Sequence, residues 1–192
     1  MNCIQKLPED YEEVLHVDLQ KDKKTALKVN GLALLIYTIL FIPAFLIRPL
    51  DLLNGVELDL VVTGLTIVAF FVYIVLHELT HGVVMKHYGG KEVDFGFTGI
   101  YAYAGSSKVY FSRDGYIVIT LAPFILWTIV FTILLLLFHK TLYWPLVFLQ
   151  ITHISGCAGD LYVYHLVRKL PDTLYVKDTG VEMTAYDRKD GK

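Results

Sequence analysis

Apolar residues fall in four long blocks separated by polar connections, each close to the ~20 residues a helix needs to cross a bilayer. The first block runs from Gly31 to Ile47 and contains Pro43. The second runs from Leu60 to about Met85, and its first part, Leu60 to Leu76, has no acidic, basic or histidine side chain. The third spans Tyr116 to Phe138, with a kink expected at Pro123. The fourth covers Leu142 to Val167 and carries Gln150, His153, Asp160 and His165. Between the second and third blocks the period changes. Val93, Phe95 and Phe97 alternate with small or polar residues, and Ile100–Ala104 and Lys108–Ser112 also read as strands. Gly99, Gly105-Ser106-Ser107 and Arg113-Asp114-Gly115 supply turn residues.

The expected fold is therefore an all-α polytopic membrane protein. It has four transmembrane helices (about 31–47, 60–85, 116–138 and 142–167) and a small antiparallel β-sheet insert (about 92–112) between helices two and three. No repeat, low-complexity tract or linker divides the chain, so residues 1–192 read as one integral membrane domain. The insert has two readings: a sheet edge that accepts a substrate as an added strand, or a packed cap.

Composition agrees with a bilayer environment: 55% of residues are hydrophobic and the mean hydropathy is +0.51. A formal net charge of −2 gives no reason to expect a nucleic-acid partner. Two cysteines, Cys3 and Cys157, provide neither a disulfide framework nor a thiolate zinc site. The charged stretch Met1–Lys28 does not have the form of a signal peptide.

Charge placement sets an orientation. Lys6, Lys21, Lys23, Lys24 and Lys28 precede the first block. Lys86, Lys91, Lys108 and Arg113 lie in the strand-rich connection, and six more basic residues follow Val167. The other two connections hold only Arg48 and Lys140. Four crossings put both termini and the 86–114 connection on one side, and the positive-inside rule makes that side cytoplasmic.

The candidate chemistry lies in the second block, where His77-Glu78-Leu79-Thr80-His81 is an HExxH motif. Residues four apart share a helix face, so His77 and His81 can grip one metal ion while Glu78 takes a proton from water. In a charge-rich soluble helix this pattern recurs by chance. In an apolar span, ionisable groups are costly and mark functional sites. His81 and His77 lie five and nine residues before Lys86, about 8 and 13 Å deep. Asp160 lies eight residues before Arg168, about 12 Å deep on another helix. A carboxylate added to two histidines suits Zn²⁺ and leaves a fourth position for water. Small neighbours Gly156, Ala158 and Gly159 permit close helix approach. Asp160 is thus the expected third ligand, the alternative being a buried polar residue paired to another helix. His153, two turns earlier on the same face, reads as a substrate contact, an oxyanion stabiliser, a replacement ligand or a structural hydrogen-bonding residue.

The sequence from His77 to Gly82, the strand-rich connection, Leu121-Ala122-Pro123-Phe124 and Gly159-Asp160 together resemble a bacterial membrane family of zincin peptidases of unknown function. The layout is also similar to the site-two protease class, where HExxH lies on one transmembrane helix, strands follow, and a later aspartate completes the zinc site. The resemblance spans roughly residues 60–170. It implies zinc, peptidase activity and a bacterial plasma-membrane location, and names no substrate. No Asn-Pro-rich signature lies near Asp160, so the regulated cleavage of transcription-factor precursors is not implied. The functional expectation is a zinc-dependent membrane-embedded peptidase acting on a membrane protein or peptide near the cytoplasmic face. His77, His81 and Asp160 are the metal ligands and Glu78 is the base. The alternatives are a membrane metal-binding or transport protein, or an inactive protease-derived scaffold. A transporter calls for polar residues along a path, and the outer half of helix two offers only Thr63 and Thr66. The intact Glu78 argues against the scaffold.

Overall fold

A computed structural model describes residues 3–49, 60–99 and 101–189. The helices are α1 (Lys23–Ile47), α2 (Leu60–His87), α3 (Arg113–Phe138), α4 (Tyr143–Gly156) and α5 (Ala158–Val167). Taking α4 and α5 as one span, four helical units among the described residues are long and apolar enough to cross a membrane. Asp22 caps α1 by accepting from the N–H groups of Lys24 and Thr25 at 3.0 and 3.2 Å. Ser112 caps α3 through Gly115 N–H at 3.4 Å. Leu34, Leu46, Leu60, Leu65, Phe71, Leu136 and Leu137 are among many large apolar side chains that face outward. A surface so apolar is the exception in water-soluble monomers. The fourth span breaks at Cys157, which places Asp160 in the first turn of α5.

The expectation of an all-α protein with a sheet confined to the insert is overturned. Six strands form one antiparallel sheet: β1 (Cys3–Ile4), β2 (Tyr11–Asp18), β3 (Asp94–Phe97), β4 (Ala102–Ser112), β5 (Tyr175–Asp178) and β6 (Glu182–Arg188). The order is β1-β4-β5-β6-β2, with β3 also paired to β4. Four of the six strands come from segments flanking the helices. The physical reason is that β3 and β4 alone make an isolated hairpin, a marginal structure in water. Buried Val109 and Phe111 of β4 need a partner surface. Val176, Met183, Ala185 and Val17 complete that face, with Val17 opposite Met183 and Leu15 opposite Ala185.

The insert itself also differs from the reading. Lys108–Ser112 is not a separate strand after a turn at Gly105-Ser106-Ser107. It continues β4, with a register shift against β5 between Ser106 and Phe111. Gly105 is there for close approach: an added Cβ would lie 2.1 Å from the Thr179 carbonyl carbon. The buried Ser106 hydroxyl donates to the Glu92 carbonyl at 2.7 Å. Ile100 lies outside the described residues.

The main apolar core lies between the inner sheet face and the sheet-side ends of α2, α3 and α5, and includes Met85, Phe111, Tyr116, Ile119, Val167 and Leu174. β3 docks on α2 at Gly82, where a Cβ would lie 2.3 Å from Phe95 Cζ. The sheet is thereby pinned over the HExxH turn of α2.

Candidate metal centre and its surroundings

The structure brings three predicted residues together. His77 and His81 project from one face of α2 toward Asp160 on α5. His77 Nε2 lies 3.4 Å from Asp160 Oδ2, and His81 Nε2 lies 3.5 Å from Asp160 Oδ1. The ligand-capable atoms of all three lie within 4.8 Å of one another. Glu78 lines the same cavity of about 330 Å³, as does Ala104 of β4. Val29 and Asn30 of α1 and the turn from Gly180 to Met183 line other walls.

His153 stands apart from this cluster, separated by one hydroxyl group. Tyr73 OH lies 3.0 Å from His77 Nδ1 and 2.6 Å from His153 Nδ1. His153 is fully buried. Its Nε2 lies 3.0 Å from Thr128 Oγ1 and 3.3 Å from the Phe124 carbonyl. His81 Nδ1 lies 3.0 Å from the Ile119 carbonyl. Tyr73, Thr128 and the two carbonyls escaped the sequence reading. Tyr73 left a signal, because it precedes His77 by four residues on the face shared with His81. The carbonyls are backbone groups and left none.

On the sheet side, Tyr116 OH donates to Asp178 Oδ2 at 2.6 Å, and Gly180 N–H donates to Asp178 Oδ1 at 2.7 Å. Gly180 has φ +83°, a conformation that favours glycine. Burial pushes the Asp178 carboxyl above its ordinary value, against the lowering effect of these hydrogen bonds and of His81. This ties the turn after β5 to α3 at the rim of the cavity.

Residues 70–175 match the model of the family described as "Putative zincin peptidase". The chain belongs to that family. No curated protein and no solved structure matches it.

A zincin family implies zinc, and the hydrogen bonds of this member test whether the residues fit it. A carbonyl oxygen only accepts, so His81 donates its Nδ1–H to Ile119, and the ring turns Nε2 toward Asp160. The second line reads the same way from its far end. Phe124 O accepts from His153 Nε2–H, which leaves His153 Nδ1 as an acceptor for the Tyr73 hydroxyl. The Tyr73 oxygen then accepts from His77 Nδ1–H, and His77 Nε2 also turns toward Asp160. The two Nε2 atoms and the Asp160 carboxylate therefore converge on one point, where a metal can take the place of the protons that pair the rings with the carboxylate. That donor set fits zinc, and anchored second nitrogens are the usual support of zinc-binding histidines.

Two other His/Cys/Asp/Glu groups lie close enough to hold an ion among the described residues. In His77–His153–Cys157, Tyr73 OH already engages both imidazoles. In His16–Asp18–Glu182 on the sheet, Asp18 already accepts from the N–H groups of Gln20 and Lys21 and pairs with the Lys21 ammonium.

Proposed function

We propose that this protein is a membrane-embedded zinc peptidase that cleaves a peptide bond at the sheet-side ends of its helices. The observation that carries the reading is the convergence of His77, His81 and Asp160, with Glu78 beside them in a cavity beneath β4. In this reading the four apolar helices cross the membrane. The basic residues of the sheet-side segments support a cytoplasmic sheet through the positive-inside rule.

Zinc held by His77, His81 and Asp160 would supply Lewis acidity toward a water and the scissile carbonyl. Glu78 accepts a proton from the attacking water and returns it to the leaving nitrogen. The C–N bond breaks and Glu78 ends as it began. Ala104 of β4 lines the cavity opposite Glu78. The β5 pairing with β4 ends at Ser106 opposite Asp178. The Thr179–Gly180 turn packs against Ala104 and Gly105, and beyond it Ala102 and Tyr103 border the cavity, where an extended substrate segment can add as a strand. Such a segment exposes its peptide bonds, whereas a helix hides them. The substrate class is accordingly a membrane protein or peptide with an extended stretch near the cytoplasmic face.

The test is metal analysis and cleavage assays on the purified chain beside Glu78→Gln. The variant is expected to retain wild-type zinc and lose cleavage. A variant that loses its zinc, or that cleaves at the normal rate, refutes the assignment of Glu78.

A further inference from the structure

We propose that Pro123 is a positioning residue for the zinc ligands: by removing one backbone N–H from α3, it releases the Ile119 carbonyl to hold His81. This role rests on the zinc site proposed above and explains why its rings point as they do.

In a regular α-helix each carbonyl accepts from the N–H four residues later. The residue four after Ile119 is Pro123, which has no N–H and whose ring crowds the carbonyl four residues before it. Ile119 is 1% exposed and Pro123 is fully buried, so water is a poor substitute there. Buried carbonyls are rarely left unpaired. His81 Nδ1 supplies the missing donor at 3.0 Å. With its proton committed to Ile119, the ring leaves the Nε2 lone pair for the metal. An ordinary residue at position 123 would offer its own N–H to Ile119 and compete with His81.

The same stretch of α3 serves the other histidine. One residue past the proline, the Phe124 carbonyl accepts from His153 Nε2 at 3.3 Å, and Tyr73 links His153 to His77. An α3 carbonyl thus stands at the far end of each line of hydrogen bonds. This helix contributes none of the three proposed ligands, yet it sets the orientation of two.

Zinc affinity of the full-length purified chain, measured by chelator competition, separates the N–H from the ring. Pro123→Ala adds the N–H, whereas lactic acid at position 123 lacks it, as proline does, and also lacks the ring. Loss of anchoring partners of metal-bound histidines typically weakens metal binding about 10- to 100-fold. Pro123→Ala is expected to lose about tenfold in affinity, and the lactate replacement to stay near wild type. Equal losses in both, or wild-type affinity in Pro123→Ala, overturn the proposal. A second measurement needs no variant. In the metal-free protein, 15N spectra of labelled histidine should show His81 protonated at Nδ1, with coupling to a 13C-labelled Ile119 carbonyl. An Nδ1 without its proton overturns the proposal even if zinc binds. A wild type with this tautomer that takes up no zinc refutes the proposed function instead.

Discussion

Replacing Tyr73 by phenylalanine removes one oxygen and little volume, so the cavity contribution is small and the hydrogen bonds decide the outcome. Two bonds disappear, one of 3.0 Å to His77 and one of 2.6 Å to His153. A buried polar group left without a partner costs about 1–3 kcal/mol. His153 is fully buried and keeps only the weak Cys157 thiol at 3.7 Å from the same nitrogen, so it carries most of that penalty. The His77 side chain is 12% exposed and recovers part of its loss from water. The metal-free protein should therefore be destabilised by about 1–3 kcal/mol, mostly through His153. Freed from its acceptor, His77 can also protonate at Nε2, the nitrogen the metal needs. The corresponding fall in zinc affinity is about 10- to 100-fold, or about 1.4–2.8 kcal/mol at 1.4 kcal/mol per tenfold. Thermal unfolding of the metal-free protein reads the first quantity, and zinc competition with a chromogenic chelator reads the second. Zinc affinity within twofold of wild type would refute the role of the hydroxyl in orienting His77, whatever happens to stability.

Asp160→Ala should lower zinc affinity sharply, because two histidines leave the site open, while His153→Ala should keep most zinc and alter turnover. The reverse pattern in metal analysis would transfer the third ligand to His153. Asp178→Asn tests the raised carboxyl at the cavity rim. A carboxyl raised on folding favours the folded state below its unfolded value of about 3.9. That advantage is lost as pH rises through the folded value. The unfolding midpoint of the wild type relative to Asp178→Asn should thus be highest at acid pH and fall above about pH 4. A pH-independent difference excludes Asp178 as the titrating group. For topology, a cysteine placed at exposed Ser107 should label only from the cytoplasm and one at exposed Lys140 only from outside. Labelling of Ser107 from outside would move the site to the other face.

What was legible in the sequence followed from strong periodicity. A four-residue spacing puts His77 and His81 on one face, and counting from Lys86 and Arg168 puts Asp160 level with them. The insert strands were visible because Val93, Phe95 and Phe97 alternate over a useful length. The flanking strands were hidden for a physical reason. In β2, Glu12 and Glu13 interrupt the alternation of Leu15 and Val17, and a register irregularity between Glu13 and Leu15 breaks the period. β5 has only four residues. Such strands owe their form to distant partners more than to local preference. Gly105 misled because a glycine kept for close approach looks like one kept for a turn. Pro123 was visible as a kink, but its consequence falls on a carbonyl four residues earlier and on a histidine of another helix.

The pairing of β2 with β6 sets the order in which the molecule can be assembled. Tyr11 and Arg188 are Cα partners, as are Val17 and Met183. Two ribbons so far apart in the chain close a loop whose entropic cost grows with its length, and contacts of this kind slow folding. In the proposed topology four crossings remove most of that search, because helices inserted in a membrane already hold both ribbons on one face. During synthesis, however, β2 waits without its neighbour until residues 182–188 have emerged. The cavity wall formed by Gly180–Met183 is therefore among the last parts to arrive, and a nascent chain carries His77, Glu78 and His81 well before it carries a finished enclosure around them.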